Sequence, residues 1–300
     1  MSQEVIHSDP AKVTANGIEI VYDTFGEPTT PPLLLVSGLG GQMIAWDEEF
    51  CSELAAQGYW VIRFDNRDVG LSTRFDHLGI PDIPAFMKAQ ITGEKVKPPY
   101  LLRDMADDAV GLLDALGIES SHIVGISMGG MIVQEMVIHH PERVQTMTSI
   151  MSSTGNPHLP PPKPEAMALL MEPAPEGREA YIESSVRATQ VLNGPGFSPD
   201  ADRVRWNAGL AFDRGLSPAG TSRQLAAIFC SGSRKDALRS VTVPTLIIHG
   251  DIDPLVPVEG GIDTAEAISG AELLIIKGMG HDLPPTVWDQ VIGAITKHAK

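Results

Sequence analysis

Cysteine is nearly absent from this chain: two residues, Cys51 and Cys230, among 300. Each lies in or beside an apolar stretch, so both are expected to be buried thiols, and neither has metal-ligand spacing. Basic side chains are scarce as well, 22 against 38 acidic ones, for a formal charge of −16. Such a surface is repelled by nucleic-acid phosphates and by anionic lipid headgroups, and it offers no evident clamp for a polyanionic substrate. No apolar run approaches the roughly 20 residues that cross a bilayer. The best runs, Leu33–Val36 and Thr245–Ile248, have the length of buried strands. Residues 1–10 lack the basic-then-apolar order of a secretory leader, so the expectation is a cytoplasmic protein with no nucleic-acid and no membrane partner. What is present is ordinary globular composition, 43% apolar, in a chain long enough to bury a sizeable core.

The order of patterns along the chain indicates an α/β class. Val13–Ala15 and the alternating Ile18, Ile20 and Tyr22 flank Asn16-Gly17, the signature of a β-hairpin. Thereafter continuous apolar runs alternate with amphipathic ones. Strands are expected at Leu33–Ser37, Trp60–Phe64, His122–Ile126 and Val144–Ile150. Helices are expected at Trp46–Gln57, from near Leu102 to Gly117-Ile118, and at Met128–His139 before Pro141. Strands that are apolar throughout and separated by helices form a mostly parallel sheet covered on both faces. The rhythm stops near Ser152. Pro157, Pro160, Pro161, Pro162 and Pro164 preclude a regular ladder. The amphipathic pieces Glu165–Met171, Glu176–Leu192 and Ala201–Phe212 follow, broken by Asn193-Gly194-Pro195-Gly196 and a loose patch at Gly215–Gly220. Strands resume at Val243–His249 and Glu272–Ile276, with a last helix from Val287 to about Lys297. The expected organisation is a core of residues 1–151 and 241–300 carrying a helical insertion, 152–240. Inserted pieces at the carboxyl ends of strands roof the crevice of such sheets, and Met167, Leu169, Leu170 and Met171 are candidates either for the pocket wall or for packing between helices.

One short segment carries chemistry. Gly125-Ile126-Ser127-Met128-Gly129 is G-x-S-x-G set between a strand and a helix, the context in which a serine can be forced into a sharp, exposed turn. Side chains at 125 or 129 would collide with neighbouring backbone, and the helix start directs unpaired N–H groups at the serine oxygen. A serine helix cap is the plainer alternative.

A serine hydroxyl needs a base to attack. Of nine histidines, His281 in Gly278-Met279-Gly280-His281-Asp282 directly follows a strand and can overhang its carboxyl end. His139 and His140 sit at a helix end, and His122 opens a strand at its far end. His249 closes a strand but runs at once into an acidic loop, while His7, His77, His158 and His298 lack a strand context. That acidic loop, His249-Gly250-Asp251-Ile252-Asp253-Pro254, offers two carboxylates to orient the imidazole. Asp253 is chosen because it lies further from the strand end in a loop stiffened by Pro254 and Pro257; Asp251 suits a local turn. The order Ser127, Asp253, His281 differs from those of the chymotrypsin and subtilisin folds. Two backbone N–H groups must meet the developing oxyanion. These are assigned to Met128, after the serine, and to Leu39 in Gly38-Leu39-Gly40-Gly41, with Gly40 next in line. Phe64–Ser72 is expected to be structural, Asp65 and Arg67 bracing loops through charge-assisted bonds.

Taken together, Phe64–Ser72, Val124–Met131, Val241–Pro257 and Ile276–Leu283 make the chain resemble the α/β-hydrolase superfamily over nearly its whole length. Within it the chain is similar to the branch containing aclacinomycin methylesterase. The resemblance implies an eight-stranded, mostly parallel sheet with an antiparallel second strand and a helical cap after the sixth. It also implies Ser127 as nucleophile, Asp253 as acid, His281 as base, and main-chain oxyanion donors at Leu39 and Met128. A departure is Ser37-Gly38 where many relatives have histidine-glycine. The expected function is a cofactor-free, metal-free serine carboxylesterase acting through an acyl-enzyme on small to medium uncharged esters, with methyl esters one class. Perhydrolase (haloperoxidase), lactonase or amidase chemistry on the same residues remains an alternative, as does a non-catalytic ligand-binding protein of this fold. Whether the chain is a monomer or a homodimer is left open.

Overall fold

The computed structural model describes residues 5–94, 96–173 and 175–300. Residues 1–4 and 95 of the expected core and residue 174 of the expected insertion therefore lie outside the described residues. Eight strands form one sheet: β1 (Ala11–Ala15), β2 (Ile18–Phe25), β3 (Pro32–Val36), β4 (Trp60–Phe64), β5 (Ser121–Ile126), β6 (Val144–Ile150), β7 (Thr245–Gly250) and β8 (Glu272–Ile276). They lie in the order β1-β2-β4-β3-β5-β6-β7-β8. β2 is antiparallel to both neighbours and the remaining pairs are parallel. The first turn is made by Asn16 and Gly17, both at positive φ (48° and 78°), which matches the twist of a tight hairpin.

Alternate side chains on the strands point to opposite faces, and the two faces carry separate cores. Leu34, Val36, Ile62, Phe64, Ile123 and Met147 pack on the side of α3 (Leu102–Ala115) and α4 (Met128–His139). Leu33, Leu35, Val61, Val124, Leu246 and Ile248 pack on the side of α1 (Glu48–Ala56) and α11 (Trp288–His298). Each fully buried aliphatic side chain contributes about 1.5–3 kcal/mol, so the central strands anchor whatever projects from their ends. α1 starts two residues later than its apolar pattern suggests. Asp47 is its N-cap and accepts from the Glu49 N–H at 2.9 Å, which leaves Trp46 in the preceding turn.

The remaining helices are α2 (Ile83–Thr92), α5 (Pro164–Met171), α6 (Arg178–Asn193), α7 (Ala201–Arg214), α8 (Pro218–Cys230), α9 (Lys235–Leu238) and α10 (Glu259–Ala267). α5 to α9 form a large helical cap inserted between β6 and β7, and α10 joins β7 to β8. The patch Gly215–Gly220 is looser in sequence than in structure. Ser217 caps α8 through its hydroxyl, and Pro218 occupies the first helical position, where its missing N–H costs nothing. α2 belongs to the core segment but packs Ile83 and Phe86 against Leu225 and Ala226 of α8. Among the described residues no helix is long and apolar enough to cross a membrane.

The turn after β4 braces its surroundings as expected and reaches further. Arg67 grips Asp108 with two bonds of 2.6 and 2.7 Å, while Asp65 accepts from the Met43 and Leu71 N–H groups. Asp65 also pairs with Arg214 of α7, and Asp68 with Arg223 of α8, each at 2.6 Å. The cap is thereby tied to the core through buried carboxylates. Cys51 is fully buried, and burial pushes its thiol up; Cys230 is only half-buried, because it sits at the end of α8.

Candidate active site

Ser127 stands between β5 and α4 at φ 55° and ψ −118°. This left-handed backbone costs about 1–3 kcal/mol for a residue with a side chain and persists only where its surroundings enforce it. The enforcement is steric. A β-carbon at position 125 would lie 2.1 Å from the Gly129 carbonyl oxygen, and one at 129 would lie 2.1 Å from the Val36 carbonyl oxygen. The Ser127 side chain makes no capping bond to α4. Its Oγ lies 2.9 Å from Nε2 of His281, whose Nδ1 lies 2.7 Å from Oδ2 of Asp253. With the ionised carboxylate accepting from Nδ1–H, the Nε2 lone pair faces the serine hydroxyl.

Asp253 is 5% exposed. Burial by itself raises its carboxyl. The facing His281, with bonds from His249 and His281, more than offsets that and holds the group well below the usual carboxylate range. Its second oxygen accepts from the Leu255 and Val256 N–H groups, both at 2.8 Å. His249, set aside in the sequence, supports this loop from behind: Nε2 lies 2.8 Å from the Val256 carbonyl oxygen and 3.5 Å from Asp253. Its signal was present as a histidine four residues before the acid, but a strand-end histidine has many roles. Asp251 is exposed and accepts from the Gly278 N–H at 2.6 Å, joining the acid loop to the histidine loop.

The two expected oxyanion donors are distinguished from their neighbours by what those neighbours already bind. The Gly40 N–H donates to Gln224 Oε1 at 2.8 Å, and the Gly41 N–H to the Gly38 carbonyl at 3.1 Å. Among the described residues the N–H groups of Leu39 and Met128 make no hydrogen bond, and Gly38 lies directly against Ser127. Ser37, which replaces histidine here, is buried; its carbonyl accepts from Asn66 at 3.1 Å and its hydroxyl donates to the Gln42 carbonyl. The loop is thus held by Asn66 and by Gln224 of α8, a bracing that a pattern of local residues does not reveal.

Above the serine lies a cavity of about 1040 Å³. Leu39, Met128, Met131 and Trp288 form its core side, and Met167, Leu170, Leu225 and Phe229 its cap side. Leu169 and Met171, two of the four expected lining residues, do not reach it. Two arginines do, which the overall scarcity of positive charge had hidden. Arg203 pairs with Asp47 at 2.6 Å and Glu49 at 3.0 Å and lies over the Trp288 ring. Arg234 is buried among Gln134, the Ser153 carbonyl and, at 3.9 Å, Glu135. Burial lowers Arg234 to about 10, with Glu135 opposing. Asp282 also lines the wall, its carboxyl raised by burial against the effects of the Leu283 N–H and His281. Among the described residues no group of three histidine, cysteine or carboxylate side chains could hold a metal ion.

The family model described as the alpha/beta hydrolase fold matches residues 31–285. The chain is 30% identical to the rhodomycin D methylesterase DauP of Streptomyces sp. (strain C5), over 96% of this chain and 97% of the relative. It has the same identity and coverage with the rhodomycin D methylesterase DnrP of Streptomyces peucetius. An esterase from Exiguobacterium antarcticum superposes with a TM-score of 0.74 over 96% of this chain and 98% of its own, at 19% identity, a likeness of fold. The chain belongs to the α/β-hydrolase family, near the anthracycline methylesterase branch, and is an enzyme of the serine-hydrolase type.

Proposed function

We propose that the protein is a carboxylic ester hydrolase using Ser127 as nucleophile, His281 as general base and acid, and Asp253 to orient and stabilise the imidazolium. The observation that carries this reading is the unbroken chain of two hydrogen bonds, 2.9 and 2.7 Å, from the serine oxygen to a buried carboxylate. His281 takes the proton from Ser127 as the hydroxyl attacks the ester carbonyl. The Leu39 and Met128 N–H groups receive the oxyanion, where one such donor is worth about 10²–10³ in rate. His281 then protonates the departing alcohol, and water, activated by the same imidazole, releases the acid from Ser127.

The substrates we assign are small to medium uncharged esters, methyl esters of bulky acids among them. An apolar cavity of about 1040 Å³ accommodates a large acyl portion, and the two Streptomyces relatives are methylesterases. In this reading residues 1–151 and 241–300 supply the reacting groups and residues 152–240 shape the substrate. A panel of p-nitrophenyl esters of rising acyl length, together with methyl esters of polycyclic aromatic acids, tests it on the parent and on Ser127→Ala. Hydrolysis that depends on Ser127 is expected. A parent that binds such esters but turns none over would end the proposal.

A further inference from the structure

Two glycine-rich segments, Asn193-Gly194-Pro195-Gly196 at the end of α6 and Gly278-Met279-Gly280 before His281, meet in space. We infer that the α6 terminus, Leu192 to Gly196, is a positioning element for His281, so that the cap holds the base as well as roofing the cavity. The inference rests on the assignment of His281 proposed above.

Three contacts carry it. The His281 N–H donates to the Leu192 carbonyl at 2.7 Å. That carbonyl lies in the last turn of α6, where carbonyls have no partner within their own helix, and the histidine supplies one. Next, the Gly280 α-carbon sits against the same turn: a β-carbon there would lie 2.2 Å from the Leu192 carbonyl oxygen and 2.4 Å from that of Asn193. Finally, Gly196 faces Gly278, and a β-carbon at 196 would lie 1.8 Å from the Gly278 carbonyl oxygen. The turn is itself pinned, since the fully buried Asn193 donates its side-chain N–H to the Phe197 carbonyl. Gly194 brings the same turn against Ile252, between the two acids of the neighbouring loop. Glycine at 196 and 280 is therefore required by backbone-to-backbone contact between cap and histidine loop.

Displacing the end of α6 breaks the bond at the His281 N–H and frees a loop whose imidazole must stay within hydrogen-bond reach of both Ser127 and Asp253. Misplacement of a catalytic group by about 1 Å costs on the order of 10²-fold in rate. The end of α6 thus belongs mechanically with the core, whatever the rest of the cap does.

The test is Gly196→Ala, with Gly293→Ala on α11, where nothing lies within 4 Å of the added carbon, as a control. For the folded fraction, kcat on p-nitrophenyl butyrate is expected to fall about 10–100-fold with KM changed by less than about three-fold. Phosphonylation of Ser127 by a fluorophosphonate probe should slow in parallel, and the low-field proton resonance of the His281–Asp253 bond should shift or broaden. A raised KM with kcat and resonance intact would reduce the turn to a pocket wall and overturn the inference. If Gly196→Ala does not fold, amide hydrogen exchange on the parent decides: the His281 amide is expected to open together with α6, and exchange independent of α6 overturns the idea. His281→Ala separates the two levels. Should that variant be inactive while Gly196→Ala is unimpaired, the positioning role falls and the triad stands; should it remain active, the triad itself falls.

Discussion

The loops at the ends of β3, β5, β7 and β8 and the cap α5–α9 line one cavity, yet they are held there by different forces. Ser127, Asp253 and His281 sit within one to five residues of a buried strand end, and their positions are enforced by backbone clashes and short hydrogen bonds. The cap is attached largely through side chains: the apolar packing of α2 on α8 and the pairs Arg203–Asp47, Arg214–Asp65 and Arg223–Asp68. The pairs are unequal. Arg203 and Asp47 are 28% and 17% exposed, so their pair contributes about 0–1 kcal/mol. Arg223 and Asp68 are both fully buried, and removing one partner strands the other charge. The candidate reacting groups are thus placed by backbone, which tolerates little change, whereas much of the cavity roof hangs on side chains. The two kinds of attachment meet at the end of α6 and at Gly220 of α8, where an added β-carbon would lie 2.1 Å from the Asp68 carbonyl oxygen.

The sharpest break would come at the core. Ser127→Ala is expected to lower ester turnover by about 10⁴-fold or more, measured as kcat on p-nitrophenyl butyrate; loss of less than ten-fold would remove the serine from the mechanism. Asp253→Asn should cost about 10²–10⁴-fold, while Asp251→Asn, whose amide oxygen can still accept from the Gly278 N–H, should stay within a few-fold of the parent. Equal effects of the two would undo the choice between them. Asp253 also has a pH signature. Its carboxyl is held below the usual range in the folded protein, so the stability it contributes is present above about pH 4 and is lost as pH falls from there through the lowered value. Denaturant titrations from pH 6 down to pH 3 should show a shallower loss in Asp253→Asn than in the parent.

The cap side of the comparison predicts a different kind of damage. Arg223→Met leaves Asp68 buried with only neutral donors, and should cost about 3–5 kcal/mol in urea unfolding while kcat of the folded protein is retained. A variant as stable as the parent would mean that the cap does not depend on this anchor. Smallest of all, Met167→Ala in the roof should alter KM for long-chain esters by a few-fold and leave acetate hydrolysis unchanged. An equal change for both esters would assign Met167 to helix packing.

Much of this site was legible because its parts obey local rules. A glycine-flanked serine between strand and helix, a histidine just past a strand and an acid in a proline-stiffened loop each announce themselves within about ten residues, and the parallel sheet follows from the alternation of apolar runs with helices. Illegible were the residues whose role is a meeting. Gln224 takes the Gly40 N–H from 184 positions away, Arg234 reaches the cavity from a loop with no pattern, and α8 begins at a proline that reads as a breaker.

What the amino-acid order determined alone is the eight strands, the helices with a clear apolar period and the candidate reacting groups beside the strand ends, since backbone sterics and hydrophobic period act over a few residues. Which N–H groups are free for an oxyanion, which of four apolar cap residues face the cavity, and what Gly196 and Gly280 are for were decided only by tertiary structure. Those answers depend on distances between segments far apart in the chain, and close packing, not local propensity, sets such distances.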